Sequence, residues 1–158
     1  MVRGVTGSEQ RFGGIARLHG AAGLARLRRS HVCVVGIGGV GAWAVEALAR
    51  SGVGALTLVD LDEICVSNIN RQVHALDGTV GRAKVEVMAE RIRAIDPAAR
   101  VETVTDFFTA ESAGRIFAPS FDFVIDAIDN TANKCRLITL CRDRKIPVIT
   151  CGGAGGRR

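Results

Sequence analysis

The stretch Val32-Cys-Val-Val-Gly-Ile-Gly-Gly-Val-Gly-Ala-Trp43 decides the fold class. It reads as a buried strand, a glycine turn and the start of a helix. Gly36, Gly38 and Gly41 fit G-x-G-x-x-G, a nucleotide-binding fingerprint of α/β folds. Gly36 permits a tight turn, Gly38 lets a backbone approach a phosphate, and Gly41 lets the helix lie close on the sheet. The free N–H groups and partial positive charge of the helix start then favour an anion. Dehydrogenases and several ATP-using families share this pattern, so the rest of the chain has to decide between them.

Outward from that turn, strands and helices alternate. Residues 1–10 read as a disordered leader. Residues 12–28 carry helical spacing in Phe12, Ile15, Leu18, Leu24 and Leu27, broken by Gly20 and Gly23, an N-terminal helical element outside the sheet. Strand one is expected at 31–36. The helix that follows, 39–51, places Val40, Trp43, Ala44, Ala47 and Leu48 on one face, and Gly52 ends it. Strand two, Ala55–Asp60, is a continuous apolar run suited to burial on both faces. Residues 61–80 form a polar connection too long for an idle loop. A helix over 82–95 has its stripe at Val85, Met88, Ala89 and Ile92, with Pro97 just beyond. Further elements are a strand at 101–105, a short helix near 110–116, strand Phe121–Asp126, a helix over 131–144 with Leu137, Ile138 and Cys141 inward, and strand Pro147–Cys151. This alternation predicts an α/β, Rossmann-like, doubly wound and mainly parallel sheet in the order 3-2-1-4-5.

The 158 residues make one domain, with 47% hydrophobic and 23% charged positions. No apolar run approaches the roughly 20 residues of a membrane helix, and the N-terminal arginines have no apolar segment behind them, which excludes a secretory signal. Five cysteines, Cys33, Cys65, Cys135, Cys141 and Cys151, form no C-x-x-C pair. Reduced thiols in a cytoplasm fit them better than a disulfide framework or a zinc site. The net charge is +5 and the cationic excess is almost all arginine, with only Lys84, Lys134 and Lys145 as lysines. Arg3, Arg11, Arg17, Arg26, Arg28 and Arg29 crowd the first thirty residues. Such a surface suits a phosphate-rich partner such as tRNA; a solvated basic face explains the charge equally well.

Several polar residues fall where the topology gathers them. Asp60 closes strand two, in the position where an acid binds both ribose hydroxyls. Asp62 points the same way in an extended segment, suited to a metal or a substrate. Ser67-Asn-Ile-Asn-Arg-Gln72 brings Asn68, Arg71 and Gln72 into one loop able to grip a polyphosphate, with Arg71 the foremost phosphate contact. Lys84 opens the next helix behind Gly81-Arg82. The chain has no G-x-x-x-x-G-K-[ST], so Lys84 stands either for a phosphate lysine on another element or for a solvated charge. Asp126-Ala-Ile-Asp129-Asn130 closes strand four beside strand one, at the switch point of the sheet. Asp129 is suited to hold Mg²⁺ against phosphates, or Asp129 or Asn130 caps the following helix.

Taken together, G-x-G-G-x-G with Gly39, Asp60-Leu-Asp62, the Ser67–Gln72 loop, Lys84 and Asp126–Asn130 resemble the ubiquitin-activating-enzyme-like superfamily, with its ThiF and MoeB type adenylyltransferases. Within it, Arg11-Phe-Gly-Gly-Ile-Ala-Arg17, His74-Ala-Leu76 and Gly152-Gly-Ala-Gly-Gly156 look most like the branch of tRNA threonylcarbamoyladenosine dehydratases. The resemblance covers residues 11–156. It implies ATP and Mg²⁺ as ligands and activation of a carboxylate, in this branch that of a threonylcarbamoyl group on a tRNA adenosine, which cyclises with loss of water. It assigns the nucleotide to Gly36–Gly41, Asp60, Asp62, Gln72, Asp126 and Asn130, phosphates to Asn68, Arg71 and Lys84, and the metal to Asp129. Charge neutralisation by Arg71, Lys84 and Mg²⁺ is then the main catalytic effect, which makes Arg71, Lys84 and Asp129 the catalytic candidates. A homodimer and a sulfur-transfer protein are the partners it implies.

Two departures from the family pattern stand out. Gly14 occupies the place of a second arginine of an R-Y-x-R motif, which in many relatives reaches into the partner's site. The family also continues past the glycine run, so the expectation is a chain truncated after its fifth strand, with that strand a bare edge. The competing readings are a sulfur-carrier or ubiquitin-like protein adenylyltransferase, an NAD-dependent oxidoreductase, in which Asp62 and the Asn-Arg-Gln loop have no role, and a nucleotide-binding fragment without turnover.

Overall fold

The computed structural model describes residues 7–152; the leader at 1–6 and the glycine run beyond Gly152 lie outside the described residues. Its elements are α1 (Gly7–Arg29), β1 (His31–Val35), α2 (Gly41–Arg50), β2 (Ala55–Val59), α3 (Lys84–Ile95), β3 (Arg100–Val104), α4 (Ala113–Ile116), β4 (Phe123–Asp126), α5 (Thr131–Asp143) and β5 (Val148–Thr150). Two single 3₁₀ turns, Val66–Asn68 and Asp77–Thr79, interrupt the connection between β2 and α3. The five strands are parallel in the order β3-β2-β1-β4-β5, as the alternation predicts.

Strand alternation builds two core layers. In β1, Val32 and Val34 face α2 and α3, where they meet Leu56, Leu58, Val45, Ala49, Met88 and Ile92. Cys33 and Val35 face the other way, onto Val59, Val124, Leu137 and Cys141. Phe108, Phe117 and Phe121 close this second layer edge to face, with centroids 5.8 and 5.3 Å apart. Both faces of β1 and β2 are buried along their whole length, so their sequences read as unbroken apolar runs.

Three expectations need correction. Residues 7–10 are helical rather than part of a disordered leader, because α1 begins at Gly7; the backbone of α1 leaves helical geometry at Phe12 and at Gly20, where φ is 75°, while Gly23 stays helical. On α2 the buried face is Ala42, Val45, Glu46 and Ala49, not the stripe through Val40 and Trp43, which are 48% and 54% exposed. Glu46 belongs inside because it receives Arg50 and Arg91 on its two oxygens, and that pairing rotates the helix away from the purely apolar choice. Trp43 turns outward and its indole N–H donates to the carbonyl of Arg71 at 3.0 Å. On α5, Leu137 and Cys141 point inward, but Ile138 is exposed, because a helix resting on the sheet margin buries one narrow i, i+4 stripe.

The N-terminal helix is fastened at the far end of the sheet from the glycine turn. Phe12 is buried against the Gly52 turn, Arg28 pairs with Asp96, and Arg11 Nη1 donates to the Ile95 carbonyl at 2.6 Å. At the opposite margin β5 pairs only with β4 among the described residues, and Ile149 is 54% exposed there.

Candidate functional site

The chain order reverses between β1 and β4, and there the sheet opens a cleft of about 480 Å³ beyond the carboxyl ends of β1, β2 and β4. Its floor is the glycine turn. Gly36 has φ of 90°, and a Cβ there would lie 2.7 Å from the Ala127 carbonyl oxygen, so only glycine fits. A Cβ on Gly41 would lie 1.8 Å from the Gly36 oxygen, which holds the start of α2 directly on the turn. Gly38 meets nothing within 4 Å and faces open space. No side chain caps the first turn of α2; the Ala42 and Ala44 N–H groups donate to the Gly38 and Val40 carbonyls, and those of Gly38 to Gly41 have no acceptor among the described residues and remain available to an anion.

Asp60 is drawn into the turn. Its Oδ2 accepts the Ile37 N–H at 2.6 Å and its Oδ1 accepts the Asp62 N–H at 2.8 Å. The carboxylate therefore braces the glycine loop, while each oxygen keeps a lone pair for a ligand at the cleft wall. Asp62 in turn fixes Lys84: its carbonyl accepts the Lys84 N–H at 3.0 Å, and its Oδ2 accepts from Lys84 Nζ at 2.7 Å. The lysine side chain is only 7% exposed against 53% for the aspartate. The solvated-charge reading of Lys84 is thereby overturned. A short ladder, Glu63 bridging Ala83 and Ile64 N–H donating to the Arg82 carbonyl, pins the loop to the helix start and brings Asp62 to the lysine.

The rest of the 61–80 connection forms the adjacent wall. Asn68 is buried and spends its side-chain oxygen on the Cys65 N–H at 3.1 Å, while its carbonyl accepts from Arg71 and Gln72 N–H. It therefore shapes the loop that presents Arg71. The Arg71 guanidinium is exposed, donating to the Ser67 carbonyl at 2.7 Å and to Asn70 Oδ1 at 3.0 Å, with its methylenes over Gly39. Gln72 lines the cleft and is buried, and its Oε1 has no hydrogen-bond partner among the described residues.

On the β4 side the predicted cluster separates. Asp126 is fully buried beneath the cleft rather than lining it. Its Oδ1 accepts the Ile128 N–H at 3.0 Å, and Oδ2 lies 2.9 Å from Lys134 Nζ. That second contact is off the hydrogen-bond direction, so it is an ion pair; the directed bond of Lys134 goes to the Cys151 carbonyl at 3.0 Å. Asn130 caps α5, accepting the Asn133 N–H at 3.0 Å, and also lines the cleft. Asp129 is exposed at the rim. Among the described residues no three His, Cys, Asp or Glu side chains gather into a protein-only metal cage.

Thus Gly36, Gly38, Gly39, Asp60, Asp62, Asn68, Arg71, Gln72, Lys84, Asp129 and Asn130 line one cleft, and Gly41 and Asp126 support it from behind. Sequence reasoning missed the loop after β3, where Asp106, Phe107 and Phe108 close the far wall. Phe107 is half exposed there, an apolar side chain facing the cleft rather than the core. It also missed Lys134, whose only signal was its place in the first turn of a helix following a strand-end aspartate.

Against known proteins, the ThiF family pattern matches residues 13–157. The chain belongs to the ThiF family. It is 56% identical over 149 residues to the tRNA threonylcarbamoyladenosine dehydratase of Haemophilus influenzae, a match covering 94% of this chain and 57% of that protein. The Escherichia coli enzyme of the same name is 56% identical over 148 residues, covering 94% and 55%. A solved structure of the Escherichia coli tRNA N6-threonylcarbamoyladenosine dehydratase in complex with ATP superposes with a TM-score of 0.93 at 54% identity, over 98% of this chain and 64% of that one. The chain spans little more than half the length of these curated relatives.

Proposed function

We propose that this ThiF-family chain binds ATP with Mg²⁺ and activates a carboxylate, that of a threonylcarbamoyl group on a tRNA adenosine, for cyclisation with loss of water. The observation that carries the reading is the cleft itself: an open glycine turn with a buried lysine on one side, an exposed arginine on another and the exposed carboxylate of Asp129 at the rim. Bound ATP–Mg²⁺ supplies an electrophilic phosphorus that converts a carboxylate oxygen into part of a leaving group. The protein's part is binding, orientation and charge. Gly38, Gly39 and the uncapped start of α2 offer N–H groups to phosphate, and the missing side chain at Gly38 leaves the approach clear. Lys84 and Arg71 neutralise the charge that builds on the phosphates. Asp60 has lone pairs left for ribose hydroxyls, and Gln72 Oε1, buried and without a donor, fits a polar group of the ligand. Asp129 suits Mg²⁺, which takes one or two carboxylates together with phosphate oxygens. Asn68 and Asp126 act through the loops they hold.

The same reading places the reaction in the cytoplasm, where tRNA is. No described helix is long and apolar enough to cross a membrane. It includes a homodimer, for which the exposed Val40, Trp43 and Ile69 near the cleft supply apolar contact area. It also includes a sulfur-transfer protein partner, with Cys65, exposed on the loop beside the cleft, as the thiol such a partner would meet.

The deciding experiment mixes the chain and ATP–Mg²⁺ separately with threonylcarbamoylated tRNA and with a ubiquitin-like carrier protein, and follows ATP consumption. Stimulation by the tRNA, abolished in Asp129→Asn, is the expected result. Stimulation by the carrier instead transfers the assignment to protein adenylylation. ATP binding without stimulation by either reduces the chain to a nucleotide-binding unit.

A further inference from the structure

Lys134 stands in an unfavourable place for a cation. It lies in the first turn of α5, where the helix dipole opposes positive charge, and its side chain is only 16% exposed. Contacts at the carboxyl ends of two strands hold it there. Its Nζ lies 2.9 Å from Oδ2 of Asp126, the last residue of β4, whose side chain is fully buried. The same Nζ donates to the carbonyl of Cys151, just past β5, at 3.0 Å. The Cys151 N–H in turn donates to the Asp126 carbonyl at 2.8 Å. One ammonium therefore joins the ends of β4 and β5 to the start of α5.

Between the end of β4 and α5 runs the connection 127–130, which carries Asp129 to the rim of the cleft. Its backbone is tied on both sides of that residue. Before it, Asp126 Oδ1 accepts the Ile128 N–H at 3.0 Å. After it, the Asn130 carbonyl accepts the Lys134 N–H at 2.9 Å and Asn130 Oδ1 accepts the Asn133 N–H at 3.0 Å. The connection also rests on the glycine turn, because the Ala127 N–H donates to the Val35 carbonyl at 2.9 Å and the Ala127 carbonyl is the group that leaves no room for a Cβ at Gly36. The Asp129 side chain is exposed, so its direction comes from this backbone.

We infer that Lys134 is a positioning residue for Asp129: by pairing with Asp126 it holds the carboxylate that braces the Ile128 N–H, and so fixes the backbone from which Asp129 meets Mg²⁺. The inference rests on the assignment of Mg²⁺ to Asp129. Without the ammonium, Asp126 would be a buried charge with no counter-charge, and it would leave its place for other donors or water. The brace on Ile128 would go with it. Carboxylates that ligate metals depend on such supports, and losing one weakens metal binding by about tenfold or more.

The test measures the dissociation constant of the whole chain for ATP twice, in EDTA and with Mg²⁺. Wild type is compared with Lys134→Met, Lys134→Arg and Asp129→Asn. The ratio of the two constants is the gain that the metal gives. Lys134→Met is expected to lose about tenfold of that gain with its affinity in EDTA unchanged, and Lys134→Arg, which keeps the charge, to recover most of it. A Lys134→Met chain that keeps the gain overturns the inference. Equal losses with and without Mg²⁺ overturn it too, because the whole cleft has then loosened. Equal damage from Met and Arg does the same, since the effect is then packing alone. If wild type shows no gain, or Asp129→Asn keeps it, the metal assignment fails first and the inference falls with it. If Asp129→Asn loses the gain and Lys134→Met does not, only the positioning role fails. Should Lys134→Met not fold, the double variant Asp126→Asn with Lys134→Met leaves no lone buried charge and decides in the same sense: gain lost supports the inference, gain kept overturns it.

Discussion

Asp60 Oδ2 accepts the backbone N–H of Ile37 at 2.6 Å, which fastens the end of β2 to the middle of the glycine turn. The residue is 9% exposed and takes the Asp62 N–H on its other oxygen. Its first effect is therefore on the shape of the turn, and any ribose contact builds on that. Asp60→Ala leaves two N–H groups without their acceptor and is expected to cost about 1–3 kcal/mol of stability as well as nucleotide binding. Asp60→Asn keeps one acceptor oxygen and should recover part of both. Denaturant titrations with and without ATP–Mg²⁺ check this. Loss of binding with unchanged stability in Asp60→Ala would assign the carboxylate to the ligand alone.

The pairing of Lys84 with Asp62 is asymmetric, and the asymmetry is measurable. Lys84 is nearly buried while Asp62 is half in solvent. Lys84→Met removes the buried charge and leaves an aspartate that water can solvate. Asp62→Ala leaves a buried ammonium without its carboxylate, a loss of the kind that costs about 3 kcal/mol. Asp62→Ala is thus expected to lower the melting temperature clearly more than Lys84→Met, whereas Lys84→Met should be the more damaging to ATP–Mg²⁺ binding. Calorimetry on the two variants tests both orderings.

The alternation of strands and helices and the sheet order were legible in the sequence because β1 and β2 are buried on both faces and announce themselves as apolar runs. The stripe of α3 was legible for the related reason that Val85, Met88, Ala89 and Ile92 meet a uniform apolar surface. The face of α2 was not. Glu46 is buried by partners at Arg50 and at Arg91, 45 residues away, and no local pattern records a long-range ion pair. The same limit separated Asp126 from Asp129: Asp126 ends β4 on its buried side, in line with Val124, and meets Lys134 there, whereas Asp129 lies three residues beyond the strand. Phe107 and Phe108 are adjacent aromatics, yet the chain bends there and only Phe108 enters the core. The cleft was visible through its glycines and charges, and its far wall was hidden because that wall is made of residues whose types carry no signal.

The glycines of the turn divide into two kinds, and substitution by alanine separates them. At Gly41 the added Cβ would lie 1.8 Å from a backbone oxygen that cannot move without unmaking the turn. Gly41→Ala is expected to cost several kcal/mol, at the level of about 3 or more, because the strain falls on the packed core. At Gly38 the Cβ meets nothing within 4 Å. Gly38→Ala should fold like wild type and still lose affinity for ATP–Mg²⁺, since the methyl group projects where the phosphates would lie. A melt and a binding isotherm on each variant check this, and a Gly38→Ala that binds normally would remove the phosphates from that side of the turn.

Acid sensitivity follows from the two buried histidines. Desolvation is the leading cause that lowers the basicity of both His31 and His74, in the latter to about 4 from an ordinary 6.5. His31, at the start of β1, is further held by Thr57 Oγ1 of β2, 2.8 Å from Nε2, and by Phe121 edge-on to its ring at 4.8 Å. A histidine with a depressed folded pKa binds its proton more readily in the unfolded chain, so the folded state loses stability as pH falls through 6.5 and continues losing it down to the folded value. For His74 the loss is on the order of 3 kcal/mol by about pH 4. Glu46 acts in the same direction lower on the scale. Its burial works against ionisation, but Arg91 and Arg50 outweigh it and hold the carboxyl below its ordinary range, so its contribution is present above 4.5 and lost only in stronger acid. Denaturant midpoints measured from about pH 7 down to about pH 4 should therefore fall continuously, and His74→Phe should flatten most of the upper part of that slope. An unchanged slope in His74→Phe would show that the ring titrates in the folded chain as it does in the unfolded one.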